Sequence, residues 1–230
     1  MLGIIGAMSE EVAKIKACLE DVVVETRAGI DFYQGSLEGK PVVVVRSGIG
    51  KVNAAVCTQI LADCYHVEGI VNTGIAGSLR AEINIGDIVL STDAVQHDVD
   101  GTEFNYPVGQ IPQLPVFSFP SDERLRSLAE SCCHKVNPDI RTFCGRVVSG
   151  DQFISSKEKK QWLIDTFQGY CTEMEGAAIA QAAWLNQIPV LIVRAISDKA
   201  DDSARMDYET FEAQAIAHSV NLLLEMIKQF

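Results

Sequence analysis

Residues 171–198, CTEMEGAAIAQAAWLNQIPVLIVRAISD, constrain the fold more than any other stretch of the chain. Two carboxylates open it, in Thr172-Glu173-Met174-Glu175, and Asp198 closes it. Between them, Gly176 to Asn186 is a run of small residues that suits a helix lying close to a sheet. Ile188 to Val193 is apolar without alternation and reads as a buried parallel strand. A strand–helix–strand unit of this length is expected to be a right-handed crossover. Glu175 would then end one strand and Asp198 a parallel one, both at the carboxyl edge where open α/β sheets bind ligands. The plainer reading makes Glu175 a first-turn helix acid and Asp198 an N-cap.

The rest of the chain fits an α/β protein. Leu2 to Met8 reads as a short strand, with Ser9 placed to cap the following helix. Glu10 and Glu11 fall in that helix's first turn, where local sequence favours a dipole-stabilising role. From Val22 to Ser47, three strand-like runs are separated by Ala28-Gly29 and Glu38-Gly39-Lys40-Pro41, short spacers that favour antiparallel hairpins. Ser47-Gly48-Ile49-Gly50-Lys51 follows a buried strand and precedes a helix to about Tyr65. It lacks the first Gly and the closing Ser or Thr of a Walker loop, and it is only half of a dinucleotide fingerprint. Gly69 to Gly74 reads as a buried strand ending in a second small-residue turn, Gly74 to Ser78. Gly86 to Val95 is a further strand. His97 to Pro115 is a long irregular segment, and such segments in compact domains are usually functional. A helix over Asp122–Val136 capped by Ser121, a strand over Arg141–Ser149, a charged helix over Lys157–Phe167 and a closing amphipathic helix over Tyr208–Lys228 complete the reading.

Composition excludes several classes. At 230 residues the whole span, 1–230, is expected to be one domain. A net charge of −12 argues against nucleic acid and against an anionic membrane surface. No apolar run approaches the roughly 20 residues of a spanning helix. The N-terminus lacks a basic n-region and does not read as a signal peptide. Seven cysteines without a CxxC pair suit small thiols in a reducing cytoplasm. His97-Asp98-x-Asp100 has ligand-like residues, but with four histidines in the chain and none other nearby it does not read as a metal site. No cofactor is expected.

Six motifs together carry a resemblance: Gly-Ile-Ile-Gly-Ala-Met-Ser-Glu-Glu (3–11), Ser-Gly-Ile-Gly-Lys-Val (47–52), Asn-Thr-Gly-Ile-Ala-Gly (72–77), Val-Ser-Gly-Asp-Gln-Phe-Ile (148–154), Glu-Met-Glu-Gly-Ala-Ala (173–178) and Val-Arg-Ala-Ile-Ser-Asp (193–198). In this order, over essentially the whole chain, they resemble the bacterial 5′-methylthioadenosine/S-adenosylhomocysteine nucleosidases of the purine nucleoside phosphorylase superfamily. The resemblance implies a three-layer α/β/α sandwich around a twisted mixed sheet and a homodimer. It also implies hydrolysis of the N-glycosidic bond of 5′-methylthioadenosine, S-adenosylhomocysteine and 5′-deoxyadenosine, with water as co-substrate. A related purine nucleoside phosphorylase and a futalosine-type nucleosidase are the alternatives.

The resemblance also assigns residues. It makes Asp198 the acid serving adenine N7, Glu175 the acceptor of the ribose hydroxyls, and Glu11 the base for the attacking water, against the local reading of Glu11. Phe153 would stack on adenine, with Ile154 reading the base edge through its backbone. Ala76, Gly77 and Ser197 would line the base, and Met174, Met8 and Ile49 would pack on the ribose and alkylthio group. Tyr208 would sit near the 5′ substituent, and Arg194 would hold Glu11 or the water. Phe104 and Pro112 would reach from the partner chain over the 5′ pocket. Ile75 stands where this family commonly has Ser or Thr.

Overall fold

The computed structural model describes residues 1–230. Ten strands build one sheet: β1 (Leu2–Gly6), β2 (Glu20–Arg27), β3 (Ile30–Leu37), β4 (Lys40–Arg46), β5 (Gly69–Ser78), β6 (Ile88–Gln96), β7 (Phe119–Pro120), β8 (Thr142–Ser149), β9 (Cys171–Glu173) and β10 (Val190–Asp198). The strand order is β10-β6-β8-β9-β5-β1-β4-β3-β2, with β7 on β6. Because β10 also pairs with β5, five strands close into a ring and the other strands extend from it as an open wing. β1, β4, β5 and β10 run parallel at the centre, whereas β2, β3 and β4 form the expected antiparallel hairpins.

Alternation along the central strands sends side chains to two cores. Leu2 and Ile4 of β1, Val42 and Val44 of β4, and Leu191 and Val193 of β10 face one layer. That layer holds α1 (Ser9–Ala17), α3 (Glu123–Val136) and α6 (Ala204–Gln229). Ile5, Val43, Val45, Val190 and Ile192 face the opposite layer of α2 (Lys51–Tyr65) and α5 (Gly176–Leu185). Strands buried on both faces need no polar side, which is why their sequences read as unbroken apolar runs. The nearly all-buried α5 uses small residues to lie against the sheet. A smaller third core packs α4 (Lys157–Phe167) on the ends of β6 and β8.

Four expectations change. β9 pairs parallel with β8 and antiparallel with β5, while β10 runs parallel to β5, so β9 and β10 are antiparallel and the unit between them is not a parallel crossover. β5 does not turn at Gly74 but continues to Ser78, because β10 and β9 supply ladder partners along its small-residue end. Met8, not Ser9, is the N-cap of α1, and Ser9 is already helical. Asp122 rather than Ser121 caps α3, accepting from the Leu125 N–H at 2.9 Å; the Ser121 hydroxyl pairs with Ser91 instead. All seven cysteines are free, and no helix is long and apolar enough to cross a membrane.

Candidate active site

A cavity of about 360 Å³ opens where the ends of β1, β5 and β10 meet the starts of α1, α5 and α6. That is the size range of a small-ligand pocket. Glu11, Glu175 and Asp198 all line it, together with Met8, Ile49, Ala76, Gly77, Phe153, Met174, Ser197 and Tyr208. Glu175 and Asp198, which sequence alone placed at one sheet edge, therefore share one chamber with Glu11, although the strands that lead to them are not the parallel pair expected.

Glu11 is held from three sides. Its Oε2 accepts the backbone N–H groups of Ala7 at 2.7 Å and Met8 at 2.9 Å, and its Oε1 accepts that of Ile75 at 3.2 Å. A β-carbon at Gly74 would fall 2.6 Å from Glu11 Oε1 and 2.7 Å from an Arg194 guanidinium nitrogen, so any larger residue there would displace these two charged groups. Burial pushes the Glu11 carboxyl above its ordinary range, against the pull of Arg194 and the three N–H donors. The side chain of Ile75 joins the sheet core and touches the cavity. The missing hydroxyl at position 75 thus leaves the Glu11 contact intact, because the backbone makes it.

Asp198 reaches the cavity through a slip in register. Ile196 pairs with Ala76, but Asp198 rather than Ser197 pairs with Gly77, so β10 has one extra residue there. Such a bulge re-aims the side chain that follows it. Gly77 is again a site of close approach, since a β-carbon would meet Asp198 Oδ1 at 2.7 Å. The carboxylate accepts from the Ala200 N–H at 2.7 Å and from the Ser197 hydroxyl at 2.9 Å. Burial raises its pKa in spite of those two donors. A carboxyl that holds its proton more firmly is suited to act as an acid.

Glu175 stands at the N-cap position of α5 and accepts from the Gly50 N–H at 2.8 Å. Burial, and then the charge of Glu173, push its carboxyl up. Glu173 is a residue that sequence reasoning left without a role. Its side chain is buried at the cavity floor and accepts from the Gly176 N–H at 2.7 Å, the Glu175 N–H at 3.1 Å, the Ser149 hydroxyl and Arg194. Burial alone would raise its pKa, but Arg194 and these donors outweigh that and hold it below the usual range. Arg194 also donates to Asn72 Oδ1 at 2.6 Å. Of the two partners expected for Arg194, Glu11 or the water, the direct bond to Glu11 is corrected: its ion pair is with Glu173, at the cavity floor, and it reaches Glu11 only through space. Glu173 ends β9, whereas Glu175 lies beyond the strand at the N-cap of α5, so the two side chains leave the backbone from different local geometries.

Much of the remaining wall is apolar. Phe153 meets Tyr208 edge-on, with ring centroids 6.1 Å apart, and the Tyr208 hydroxyl lies 3.3 Å from Met8 Sδ. Ile154 lines a smaller adjoining recess with Phe153, Gly77 and Asp198. Phe104 does not line the cavity of its own chain; it is 75% exposed, in a short turn at Thr102–Phe104. Ala7, Thr172, Glu173 and Arg205 also line the cavity, and none of them is among the residues that the motifs assign to the site. Arg205 lies one helical turn before Tyr208, a spacing that could have flagged it. The residues of His97-Asp98-x-Asp100 diverge: His97 packs on Gly150, Asp98 pairs with Lys51, and Asp100 accepts from Thr102.

Sequence comparison matches residues 1–228 to the phosphorylase superfamily. A 5′-methylthioadenosine/S-adenosylhomocysteine nucleosidase of Bacillus thuringiensis is 40% identical over 229 residues, covering 99% of this chain and 98% of the relative. The nucleosidase of that description from Neisseria meningitidis, solved with methylthio-immucillin-A, superposes with a TM-score of 0.95 at 36% identity, covering 100% of this chain and 99% of that one. A futalosine hydrolase of Helicobacter pylori superposes with a TM-score of 0.94 at 32% identity, covering 100% of this chain and 97% of that one. The fold, the motifs and the coverage agree: the chain belongs to the phosphorylase superfamily, and within it to the 5′-methylthioadenosine/S-adenosylhomocysteine nucleosidase family.

Proposed function

We propose that this chain hydrolyses the N-glycosidic bond of 5′-methylthioadenosine and S-adenosylhomocysteine, releasing adenine and the 5-thioribose. The observation that carries this reading is the convergence of Glu11, Glu175 and Asp198 on one cavity whose wall is otherwise mostly apolar, with Thr172, Glu173, Ser197 and Arg205 as its other polar members. As the C1′–N9 bond breaks, its electron pair moves into adenine, and Asp198 gives a proton to N7. The sugar becomes cation-like, and Glu175 favours that charge by accepting hydrogen bonds from the ribose hydroxyls. Water bonds to C1′ through its oxygen and passes a proton to Glu11. The acid has lost one proton and the base has gained one, so a return transfer through solvent resets the site. A positioned acid or base contributes about 10²–10⁴-fold in rate.

Phe153 supplies a flat face for the base, and Met8, Ile49 and Tyr208 form an apolar end that suits an alkylthio group. Met174 packs on the ribose, Ala76, Gly77 and Ser197 border the base, and Ile154 offers its backbone to the base edge. Ten strands of one sheet support the site, so residues 1–230 act as one unit in this reading. Exposed Phe104 fits a homodimer in which it covers the partner's 5′ pocket, and the function suits a cytoplasmic protein that acts on small molecules. Sedimentation at micromolar concentration should give twice the chain mass.

Hydrolysis is favoured over phosphorolysis because Arg205 is the one cationic residue lining the cavity, while Arg194 is committed to Glu173 and Asn72. The test is incubation with 5′-methylthioadenosine in phosphate buffer. Adenine and free 5-methylthioribose are the expected products; 5-methylthioribose 1-phosphate as the main product would overturn hydrolysis in favour of the phosphorylase reaction.

A further inference from the structure

Beside the cavity, three residues from three segments close a ring of hydrogen bonds. The backbone N–H of Lys51, the first residue of α2, donates to Asp151 Oδ1 at 2.8 Å. The backbone N–H of Asp151, in the loop after β8, donates to Asp98 Oδ2 at 3.0 Å. Lys51 Nζ closes the ring on Asp98 Oδ1 at 2.6 Å, and also donates to Gln96 Oε1 at 3.0 Å. The Lys51 and Asp98 side chains are only 19% and 15% exposed, so water screens this pair less than a surface pair. Asp151 also places its charge at the N-terminus of α2, where the helix dipole favours it.

The ring has one neighbour on each side of the cavity. Gly50, immediately before Lys51, donates the N–H that holds Glu175, at 2.8 Å. Its φ of +96° is open to glycine, and a β-carbon there would come 3.1 Å from Asp151 Oδ1. Phe153 lies two residues beyond Asp151. The turn holding one carboxylate and the loop carrying the aromatic face are not joined along the chain. The ring ties them together across space.

We propose that Lys51, Asp98 and Asp151 are positioning residues, forming a latch that fixes the distance between the ribose-holding Glu175 and the base-stacking Phe153. This rests on the nucleosidase reading above. A latch of this kind leaves each half of the pocket able to bind its own part of a ligand. Its contribution is that one rigid nucleoside meets both halves without the protein having to bring them together. The two halves reinforce each other only while the ring is closed.

The test is titration calorimetry of the full chain with adenine and with methylthio-immucillin-A. Wild type is compared with Lys51→Met, Asp98→Asn and Lys51→Arg, with melting curves to establish that each variant is folded. Lys51→Met and Asp98→Asn should weaken the nucleoside analogue about tenfold or more, the effect of losing a charge-assisted hydrogen bond. They should weaken adenine by less than about threefold. Lys51→Arg, which keeps the charge, should recover much of the loss. Equal losses for both ligands, or no loss for either, would overturn the latch. Asp98→Asn keeps the side chain's size and carries the test if Lys51→Met does not fold. If wild type itself binds neither ligand, the nucleosidase reading falls and takes the latch with it; if wild type binds both and the variants match it, the latch alone falls.

Discussion

Glu173 and Glu175 stand two residues apart and meet opposite surroundings. Glu173 borders the cavity floor, but its carboxylate is taken up by a network below it in which Arg194 and Ser149 pair with it and Asn72 pairs with Arg194. Glu175 faces the cavity, with Gly50 as its bonded donor. The same contrast separates two regions of the molecule. In the lower layer charge is matched and the carboxyl is pushed down; in the cavity Glu11, Glu175 and Asp198 are buried with less compensation and all three are pushed up. The lower layer holds the structure in place, while the upper one keeps acids in states that cost stability but serve proton transfer.

The largest effects should come from the upper region and appear in turnover. Asp198→Asn and Glu11→Gln should each lower adenine release by about 10²-fold or more while the protein still binds adenine nucleosides. A p-nitrophenyl riboside, whose leaving group needs no protonation, should separate them. Asp198→Asn should recover much of its activity on it and Glu11→Gln should not. Equal defects on that substrate would mean that the acid is wrongly assigned.

Next comes the lower layer, read in stability. Removing one partner of a buried pair leaves an uncompensated charge, so Glu173→Gln should cost about 3–5 kcal/mol in denaturant unfolding. Because the Glu173 pKa is depressed, its contribution is present above the ordinary carboxyl value and lost as pH falls through the folded one. The deficit of Glu173→Gln should therefore shrink on acidification. A loss below about 1 kcal/mol at neutral pH would break the contrast.

Glu175→Gln should act with the opposite sign and a smaller size. A raised pKa means that stability is present below the ordinary value of 4.5 and is lost as pH rises through the folded one. Glu175→Gln removes that loss, so it should unfold with a ΔG on the order of 1 kcal/mol above wild type at neutral pH, converging with it near pH 4. Measured melting curves that order the two variants the same way at neutral pH would refute the comparison. The smallest effect belongs to Ile75→Val. The backbone, not the side chain, holds Glu11, so this loss of one methylene should cost about 0.5–1.5 kcal/mol of stability and leave turnover within about threefold.

Much of this could be read from local sequence. The two hairpins over 20–46, the helix ending at Tyr65, the helix over Lys157–Phe167 and the buried strands rest on turn residues and short-range periodicity, which act over a few neighbours. The motif carboxylates were legible through resemblance. For Glu11 the local signal pointed elsewhere, because a first-turn acid looks the same whether it faces solvent or a cavity.

What needed the tertiary structure depends on partners distant in the chain. Gly74 to Ser78 looked like a turn because its residues are small, yet it is strand because β10 and β9 satisfy its backbone, and small because Glu11 and Asp198 crowd it. The antiparallel relation of β9 and β10 follows from ring closure, which no local window contains. The split between Glu173 and Glu175 depends on Arg194 lying 21 residues from one of them along the chain and against it in space. The sequence by itself determined which residues prefer helix, strand or turn, and which can carry a charge. The tertiary structure decided which charges are matched, because Coulomb and hydrogen-bond energies depend on distance through space and on exclusion of water, not on separation along the chain.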